Sequence, residues 1–516
     1  MKKLPIGKQD FASLIQEGFL YIDKTEHIHR LLNAGSYLFL SRPRRFGKSL
    51  LLSIAKEIFE GNRKLFKGLW IEDKIAWERY PVIYIDFNRM NYRTNPLDVE
   101  LDAEMDRNAH RNGIQLYSTD YKGKFSELLE TLGGTGRKAV VLIDEYDKAI
   151  TDFLGEDETR LRDNVRTLKN FYGTLKSLDR CIHFSLITGV SKYGKVSIFS
   201  DLNNLKDITL HRDFSVLLGI TQEELEQNFS EYLQLAAREL NFSMKRLLKV
   251  LRDHYNGYSW DGKNRVYNPF SILNFCSARL IQNYWFSTGT PTMLTDLLLQ
   301  QQIPAYELER LSADDALLET ADIQHTGLYA LLFQTGYLTI KKMSLRNGRP
   351  QYLLSYPNGE VHDAFLQHIL SAYVRRPVDV TYADLTYRFR QTLEEGDLPA
   401  FFNYLSSVFS SVPYQITRTD EAYFHSIVHV ILSLTGFVVH SEIPTNQGRM
   451  DAVLDTGKHV FIFEFKLREN ADAALAQIRE RGYPERFRAS GRTLTLVGVA
   501  FDTEQKNVRE WKTEEG

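Results

Sequence analysis

Two sets of residues in this chain have the types and spacing for phosphate chemistry. The first is Ser41-Arg-Pro-Arg-Arg-Phe-Gly-Lys-Ser49, which runs straight into the apolar stretch Leu50-Leu-Leu-Ser53. Glycine followed by Lys48 and Ser49 at the start of a helix is suited to a nucleoside triphosphate. Backbone N–H groups and the helix dipole face the phosphates there. Lys48 reaches the β- and γ-phosphates, and the Ser49 hydroxyl binds Mg²⁺. Arg44, Arg45, Phe46 and Gly47 complete the expected cradle, with the two arginines adding cationic donors. The full pattern G-x-x-x-x-G-K-[ST] has glycine where Arg42 stands. Arginine does not adopt glycine's positive φ cheaply, so the loop must begin differently, with Pro43 fixing its shape.

An acidic partner for that loop lies downstream in Ala139-Val-Val-Leu-Ile-Asp144-Glu145. A continuously apolar strand is buried on both faces, and ligands bind at the carboxyl ends of such strands. Asp144 is expected in the Mg²⁺ shell, and Glu145 is expected to orient or deprotonate the attacking water. The plainer alternative is a buried strand whose acids merely open a solvated loop. His183–Thr188 followed by Gly189-Val-Ser191 reads as the next strand, placing Thr188 or Ser191 beside the γ-phosphate. Single hydroxyls at a strand end are also ordinary turn residues.

The second set is Gly448-Arg-Met-Asp451 followed by Val460-Phe-Ile-Phe-Glu464-Phe-Lys466. Residues i and i+2 of a strand share a face, so Glu464 and Lys466 point one way and Phe463 and Phe465 the other. Asp451, on the neighbouring strand of a hairpin, can meet them. Two carboxylates suit an oxygen-ligated Mg²⁺ or Mn²⁺, and the lysine can position or activate a water for attack on phosphate. A strand that simply alternates charged and aromatic residues is the competing explanation. His425 and His429, spaced i, i+4, have zinc-compatible spacing, but no second cluster completes such a site; they read as ordinary helix-face residues.

Elements that could position these groups follow from the hydrophobic pattern. Strands are expected at Tyr37–Leu40, Val82–Phe87, Ala139–Ile143 and His183–Thr188, alternating with helices such as Ser49–Phe59. That alternation predicts an α/β fold with a parallel sheet. From Thr221 the pattern is helical, and Thr221 with Glu224 forms a capping box. Helical segments after Thr290 lead to a hairpin of Gly336–Met343 and Gln351–Ser355, suggesting a winged-helix-like module. The last stretch predicts a helix at Ala422–Leu434, strands at Phe437–Ile443, Met450–Leu454 and Val460–Phe465, a helix at Ala471–Arg481 and a strand at Thr493–Phe501.

The 516 residues predict three or four domains. Lys and Arg number 64 against 66 Asp and Glu, so a uniformly basic coat is excluded, though a local basic groove is not. Two cysteines are too few for a disulfide framework. With no secretory apolar segment and no run long enough to cross a bilayer, the chain reads as cytoplasmic and without a membrane partner.

The runs SRPRRFGKSLLLS, VVLIDEYD, ITGVSKYGKVSIFSDLNN, YNGYSW and YNPFSILNF together resemble the AAA-ATPase-like family of bacterial proteins, in which a PD-(D/E)XK nuclease-like domain typically follows the ATPase region. The resemblance implies a P-loop ATPase core over 1–215, a helical lid over 216–289, a winged-helix-like and helical connector over 290–412, and a restriction-endonuclease-like domain over 413–516. It makes Arg42 a family trait. It also implies Glu421, on the first helix of the nuclease-like core, as a further metal ligand beside Asp451 and Glu464. Gln477 falls where related nucleases carry Q-x-x-x-Y, but Arg481 takes the tyrosine's place and Tyr483 follows. The expected activity is ATP binding and hydrolysis coupled to phosphodiester cleavage, with ATP, Mg²⁺ (or Mn²⁺ at the second site) and nucleic acid as ligands. The alternative is a nucleotide-dependent switch whose C-terminal domain holds nucleic acid or protein without cutting. A small-molecule kinase would need a compact acceptor pocket, and this chain spends about half its length on other modules.

Overall fold

In a computed structural model, residues 1–134, 136–192, 198–199, 202–285, 292–315, 318, 327–374, 380–412, 420–445, 448–488 and 491–516 are described. They fall into two compact units, Met1–Thr288 with Ser312–Glu360 and Gly289–Leu311 with Val361–Gly516. The fold is α/β.

The first unit is built on a parallel sheet of β1 (Tyr37–Ser41), β2 (Val82–Asp86), β3 (Ala139–Asp144), β4 (Ile182–Gly189) and β5 (Lys206–Asp207), in the order β2-β3-β4-β1-β5. β1 and β3 are buried at every position, as expected of strands covered on both faces. β4 pairs with both β1 and β3. The carboxyl ends of the strand after which the loop begins and of the strand bearing Asp144 therefore flank Thr188. β2 is an edge strand, and the Asn108 side chain caps it: Tyr84 N–H donates to Asn108 Oδ1 at 3.0 Å and Asn108 Nδ2 donates to the Tyr84 carbonyl at 3.1 Å. Such capping satisfies backbone groups that would otherwise invite another strand. The short β5 was not anticipated from the sequence; two residues carry no periodic signal.

The expected capping box is present, with Glu224 N–H donating to Thr221 Oγ1 and Thr221 N–H to the Glu224 carboxylate. It opens the helix Gln222–Asn228, which is followed by helices Ser230–Glu239, Met244–Tyr255 and Pro269–Ala278. Their apolar faces form a core of their own around Leu225, Leu233, Leu251 and Phe275. The hairpin read from the sequence is formed by β7 (Thr339–Arg346) and β8 (Arg349–Ser355), joined by β6 (Leu311–Ala313) in a sheet ordered β6-β8-β7. The helical segments expected before the hairpin fall partly on 316–317 and 319–326, outside the described residues.

The second unit holds a mixed sheet of β9 (Val438–Thr445), β10 (Gly448–Asp455), β11 (His459–Lys466), β12 (Thr493–Asp502) and β13 (Asn507–Glu515), ordered β13-β12-β11-β10-β9. β11 and β12 run parallel and the other pairs antiparallel. The parallel crossover is made by the helix Ala471–Glu480, the usual solution for joining parallel neighbours. β13 is the element missed in the sequence: NVREWKTEE is charged, and its apolar content is Val508 and Trp511. It is held by pairing with β12 and by Trp511 stacking on Phe402 at 4.6 Å, both decided by distant residues. Among the described residues, no helix is long and apolar enough to cross a membrane.

Candidate functional site

The loop after β1 reaches the helix Lys48–Phe59 through Gly47, whose φ of 94° a side-chain-bearing residue would adopt only with strain. The loop's other positive φ falls on Arg45, at 68°, and none falls on Arg42. The glycine missing from the general pattern is thus not required by the backbone. Arg42 instead serves as a buried anchor. Its guanidinium donates to the carbonyls of Ser41 (2.8 Å), Thr209 (2.8 Å) and Phe214 (3.0 Å), and it lies 4.0 Å from the Trp260 ring. Burial lowers its pKa to about 9.

Aromatic residues of the segments YNGYSW and YNPF hold the rest of the loop. Phe46 meets Tyr258 and Trp260 edge-on at 4.8 and 5.4 Å, and the Arg45 guanidinium lies 3.7 Å from the Phe270 ring. Arg44 is exposed, and its carbonyl accepts from Trp285 Nε1 at 3.2 Å. Lys48 is buried and donates to the carbonyls of Arg42 and Pro43 at 2.9 and 3.1 Å. Desolvation lowers its pKa, against the pull of Glu145 and Asp144.

Asp144 ends β3 fully buried, and its Oδ1 accepts from the Thr188 hydroxyl at 2.7 Å. Ser49 and Asp144 line one cleft of about 570 Å³, together with Asp86, Lys56 and Arg89. Glu145 follows with φ 53°, in the left-handed region, a conformation costing a non-glycine residue about 1 kcal/mol. Burial raises its pKa, Lys48 opposes that rise, and Asp144 adds to it. Ser191 is not delivered to this cleft. Its N–H and hydroxyl both donate to Asp147, at 2.7 and 2.8 Å, which fixes the turn after β4.

Sequence reasoning missed Asp86 and Asp147. Asp86 is the direct register neighbour of Asp144, and desolvation raises its pKa, with Asp144 contributing. A signal was available, because β2 reads VIYID and ends in an acid just as AVVLID does. An apolar pocket of about 130 Å³ adjoins Phe46 and Gly47, lined by Leu50, Leu217, Ile220 and Lys24. It was likewise not anticipated, since its walls come from segments far apart in sequence.

In the second unit, β10 and β11 bring Asp451, Glu464 and Lys466 together. Asp451 Oδ2 accepts from the Phe465 N–H at 2.7 Å. Lys466 Nζ is 3.3 Å from Glu464 Oε1 and donates to Gln477 Oε1 at 2.7 Å. Gln477 Nε2 in turn donates to Glu464 Oε1. Gln477 therefore stands on the helix after β11 as a bridge between the lysine and the acid. Glu464 Oε2 is buried and has no hydrogen-bond partner among the described residues. Desolvation raises the Glu464 pKa to about 8, with Asp451 adding to the rise and Lys466 opposing it. A buried carboxylate oxygen left unpaired beside a second carboxylate is the environment a divalent cation satisfies, so these residues fit Mg²⁺ or Mn²⁺.

Glu421 is exposed at the first position of the helix Glu421–Leu434, and the structure does not gather it with Asp451 and Glu464. Among the described residues, no group of three His, Cys, Asp or Glu side chains forms a metal cage. One turn on, His425 donates from Nε2 to the Asp451 carbonyl at 2.9 Å, and His429 pairs with Ser441 Oγ at 2.6 Å and Glu309 at 3.1 Å. Both histidines are buried and occupied with structural partners. Arg481 donates to the Tyr483 hydroxyl at 3.1 Å, and that bond raises its pKa, with Glu464 and Asp451 adding to the rise.

A family of predicted AAA-ATPases matches residues 5–199, and the PD-(D/E)XK nuclease superfamily matches residues 419–511. The "Uncharacterized protein in vnfD 5'region" of Azotobacter chroococcum mcd 1 is 36% identical over 521 residues, covering 98% of each chain. Among solved structures, the ORC2 protein of Aeropyrum pernix, in ADPNP and ADP complexes, is 14% identical over 65% of this chain and 87% of its own, with a TM-score of 0.26. Cdc6p of Pyrobaculum aerophilum is 11% identical over 66% and 93%, with a TM-score of 0.27. With its phosphate-binding loop at the head of a parallel sheet and its D…ExK hairpin near the other end, the chain belongs to the AAA-ATPase-like family and carries a C-terminal PD-(D/E)XK nuclease-superfamily domain.

Proposed function

We propose that this protein binds and hydrolyses ATP in its first unit and cleaves nucleic-acid phosphodiesters in its second, with cleavage gated by the nucleotide. The observation that carries the cutting half is Glu464, buried with one oxygen unpartnered beside Asp451. A divalent cation bound there supplies Lewis-acid polarisation of the scissile phosphate. Asp451 and Glu464 hold it, Lys466 orients the attacking water, and Gln477 keeps Lys466 aligned. In the first unit, Ser49 and Asp144 hold the Mg²⁺ of MgATP and Lys48 contacts the phosphates. Glu145 orients water, and Thr188 reports on the γ-phosphate through Asp144. The apolar pocket beside Phe46 takes the base.

A nuclease assay on single- and double-stranded DNA and RNA, with Mg²⁺ or Mn²⁺ and with or without ATP, tests this reading. Wild type should cut in an ATP-dependent way, and Glu464→Ala should not cut. A wild-type protein that binds ATP yet never cleaves any of these substrates removes the cutting half. One observation favours the second reading, a nucleotide switch with a non-cutting C-terminal domain. Arg481 brings a fixed cation toward the same acid pair, which lessens their demand for a metal. That reading holds if Lys48→Ala abolishes the biological phenotype while Glu464→Ala leaves it intact.

A further inference from the structure

The β7–β8 hairpin carries charge and apolar surface that neither candidate site uses. Between Thr339 and Ser355 the sequence holds Lys341, Lys342, Arg346 and Arg349, with no aspartate or glutamate. Every residue from Lys342 to Arg349 is exposed. Among the described residues, Lys342, Arg346 and Arg349 have no ion-pair partner. Met343 and Leu345, 44% and 71% exposed, alternate with them and occupy the other face of the ribbon, while Arg349 lies opposite Arg346 on the face of the cations. Among the described residues, neither apolar side chain is buried by another element.

The surroundings extend the positive field. Lys263 and Arg265 are exposed in the turn that abuts the hairpin. The acid of that turn, Asp261, is taken up locally, accepting from the Ser259 hydroxyl and from the N–H groups of Lys263 and Asn264. Lys341, half-buried at the hairpin's base, donates to the Pro357 carbonyl at 2.8 Å.

The base of the ribbon is fixed while its tip projects. Thr339 Oγ1 both accepts from the Ser259 N–H, at 2.8 Å, and donates to the Ser259 carbonyl, at 3.1 Å. Gly262 packs so closely on β7 that a Cβ there would come within 2.8 Å of the Met343 nitrogen. Trp260, between these two anchors, is the residue stacked on Arg42 of the phosphate-binding loop.

We propose that this hairpin is a duplex-DNA contact that enters a groove with its cationic face, Lys342, Arg346 and Arg349, on one wall of backbone phosphates and its other face, Met343 and Leu345, against base edges. The major groove of B-form DNA admits a two-stranded β-ribbon, whereas that of A-form RNA is too deep and narrow for side chains to read. Exposed apolar residues suit thymine methyl groups or insertion at a base step. The assignment rests on the reading of the protein as one that acts on nucleic acid, and names the surface that would recognise it.

The test uses the full chain in a chelator, so that no cleavage intervenes, and fluorescence anisotropy of a labelled 30-base-pair DNA duplex over a range of salt concentrations. A K342Q/R346Q/R349Q variant, altered only at exposed positions, should keep the wild-type melting temperature. It should lose about 10²-fold in affinity near 0.1 M salt, and the slope of log K against log salt should fall by about 2 to 3, near 0.9 per phosphate contact removed. L345N should weaken binding with the salt slope unchanged. Equal binding and equal slope in the triple variant overturn the hairpin assignment while leaving the nucleic-acid reading standing. Wild-type protein that binds no DNA or RNA at low salt overturns both. Hairpin-dependent binding to duplex RNA in preference to DNA overturns the groove assignment.

Discussion

The two candidate sites differ in how completely each is satisfied without a ligand. Around the phosphate-binding loop the lysine and the acid that ends β3 each have internal partners. Lys48 sits on the carbonyls of Arg42 and Pro43, and Asp144 accepts from Thr188. In the second unit, Glu464 leaves one buried oxygen unpaired and titrates near 8. A nucleotide entering the first site must therefore exchange existing hydrogen bonds for its own, which favours a site that changes conformation on binding. A cation entering the second fills an existing deficit. Its binding should be local, with little rearrangement.

The sharpest way to break this comparison is to disable each site separately. Glu464→Ala should reduce metal-dependent cleavage by on the order of 10³-fold and leave ATP hydrolysis unchanged. Lys48→Ala should cost ATP hydrolysis about 10²–10³-fold while metal binding at the second unit, followed by calorimetry, persists. Loss of both properties in either folded variant would mean that the sites are not separable.

Arg42→Gly comes next in size. It restores the glycine of the general loop pattern, yet removes a buried guanidinium bonded to three carbonyls and covered by Trp260. The expected outcome is a loss of roughly 2–3 kcal/mol in stability, read by denaturant melts, with weaker nucleotide binding. Unchanged stability would mean that the aromatic segment does not support the loop.

A pH series probes the unsatisfied acid. Burial keeps Glu464 protonated up to about 8, against an ordinary value of 4.5. Between those values the native state holds a proton that the unfolded chain has released, so stability falls as pH rises through that window. Glu464→Gln removes this slope. In chelator it should gain one to a few kcal/mol over wild type at pH 8.5 relative to pH 4.5; parallel melting curves at both pH values would refute the titration. The smallest effect is expected from Thr188→Ala, which strips Asp144 of its buried partner. The cost is about 1–2 kcal/mol in nucleotide-free protein, and bound MgATP should recover part of it in thermal melts.

Local signals made much of this legible. The apolar runs of β1 and β3, the capping box at Thr221 and Glu224, and the alternation that puts Glu464 and Lys466 on one face are all short-range patterns, and each is seen in the structure. What stayed hidden depends on distant partners. β13 is a charged edge strand held by β12 and by Phe402. Asp86 gains meaning from its register with Asp144, and Ser191 is drawn away by Asp147. Glu421 has the right position on its helix, yet lies exposed at the first turn and is not gathered with the acid pair.

The sequence by itself determined which chemistry the chain can hold. Glycine, lysine and serine before an apolar helix, and an aspartate with an E-x-K strand, are statements about backbone freedom and charge type that need no third dimension. Tertiary structure alone decided how the missing glycine is replaced. Arg42 can stand in that loop because Trp260, Thr209 and Phe214, more than 160 residues away along the chain, supply a ring face and carbonyls for its buried charge. A guanidinium is tolerable in the interior only where such partners converge, and that convergence is a property of the fold.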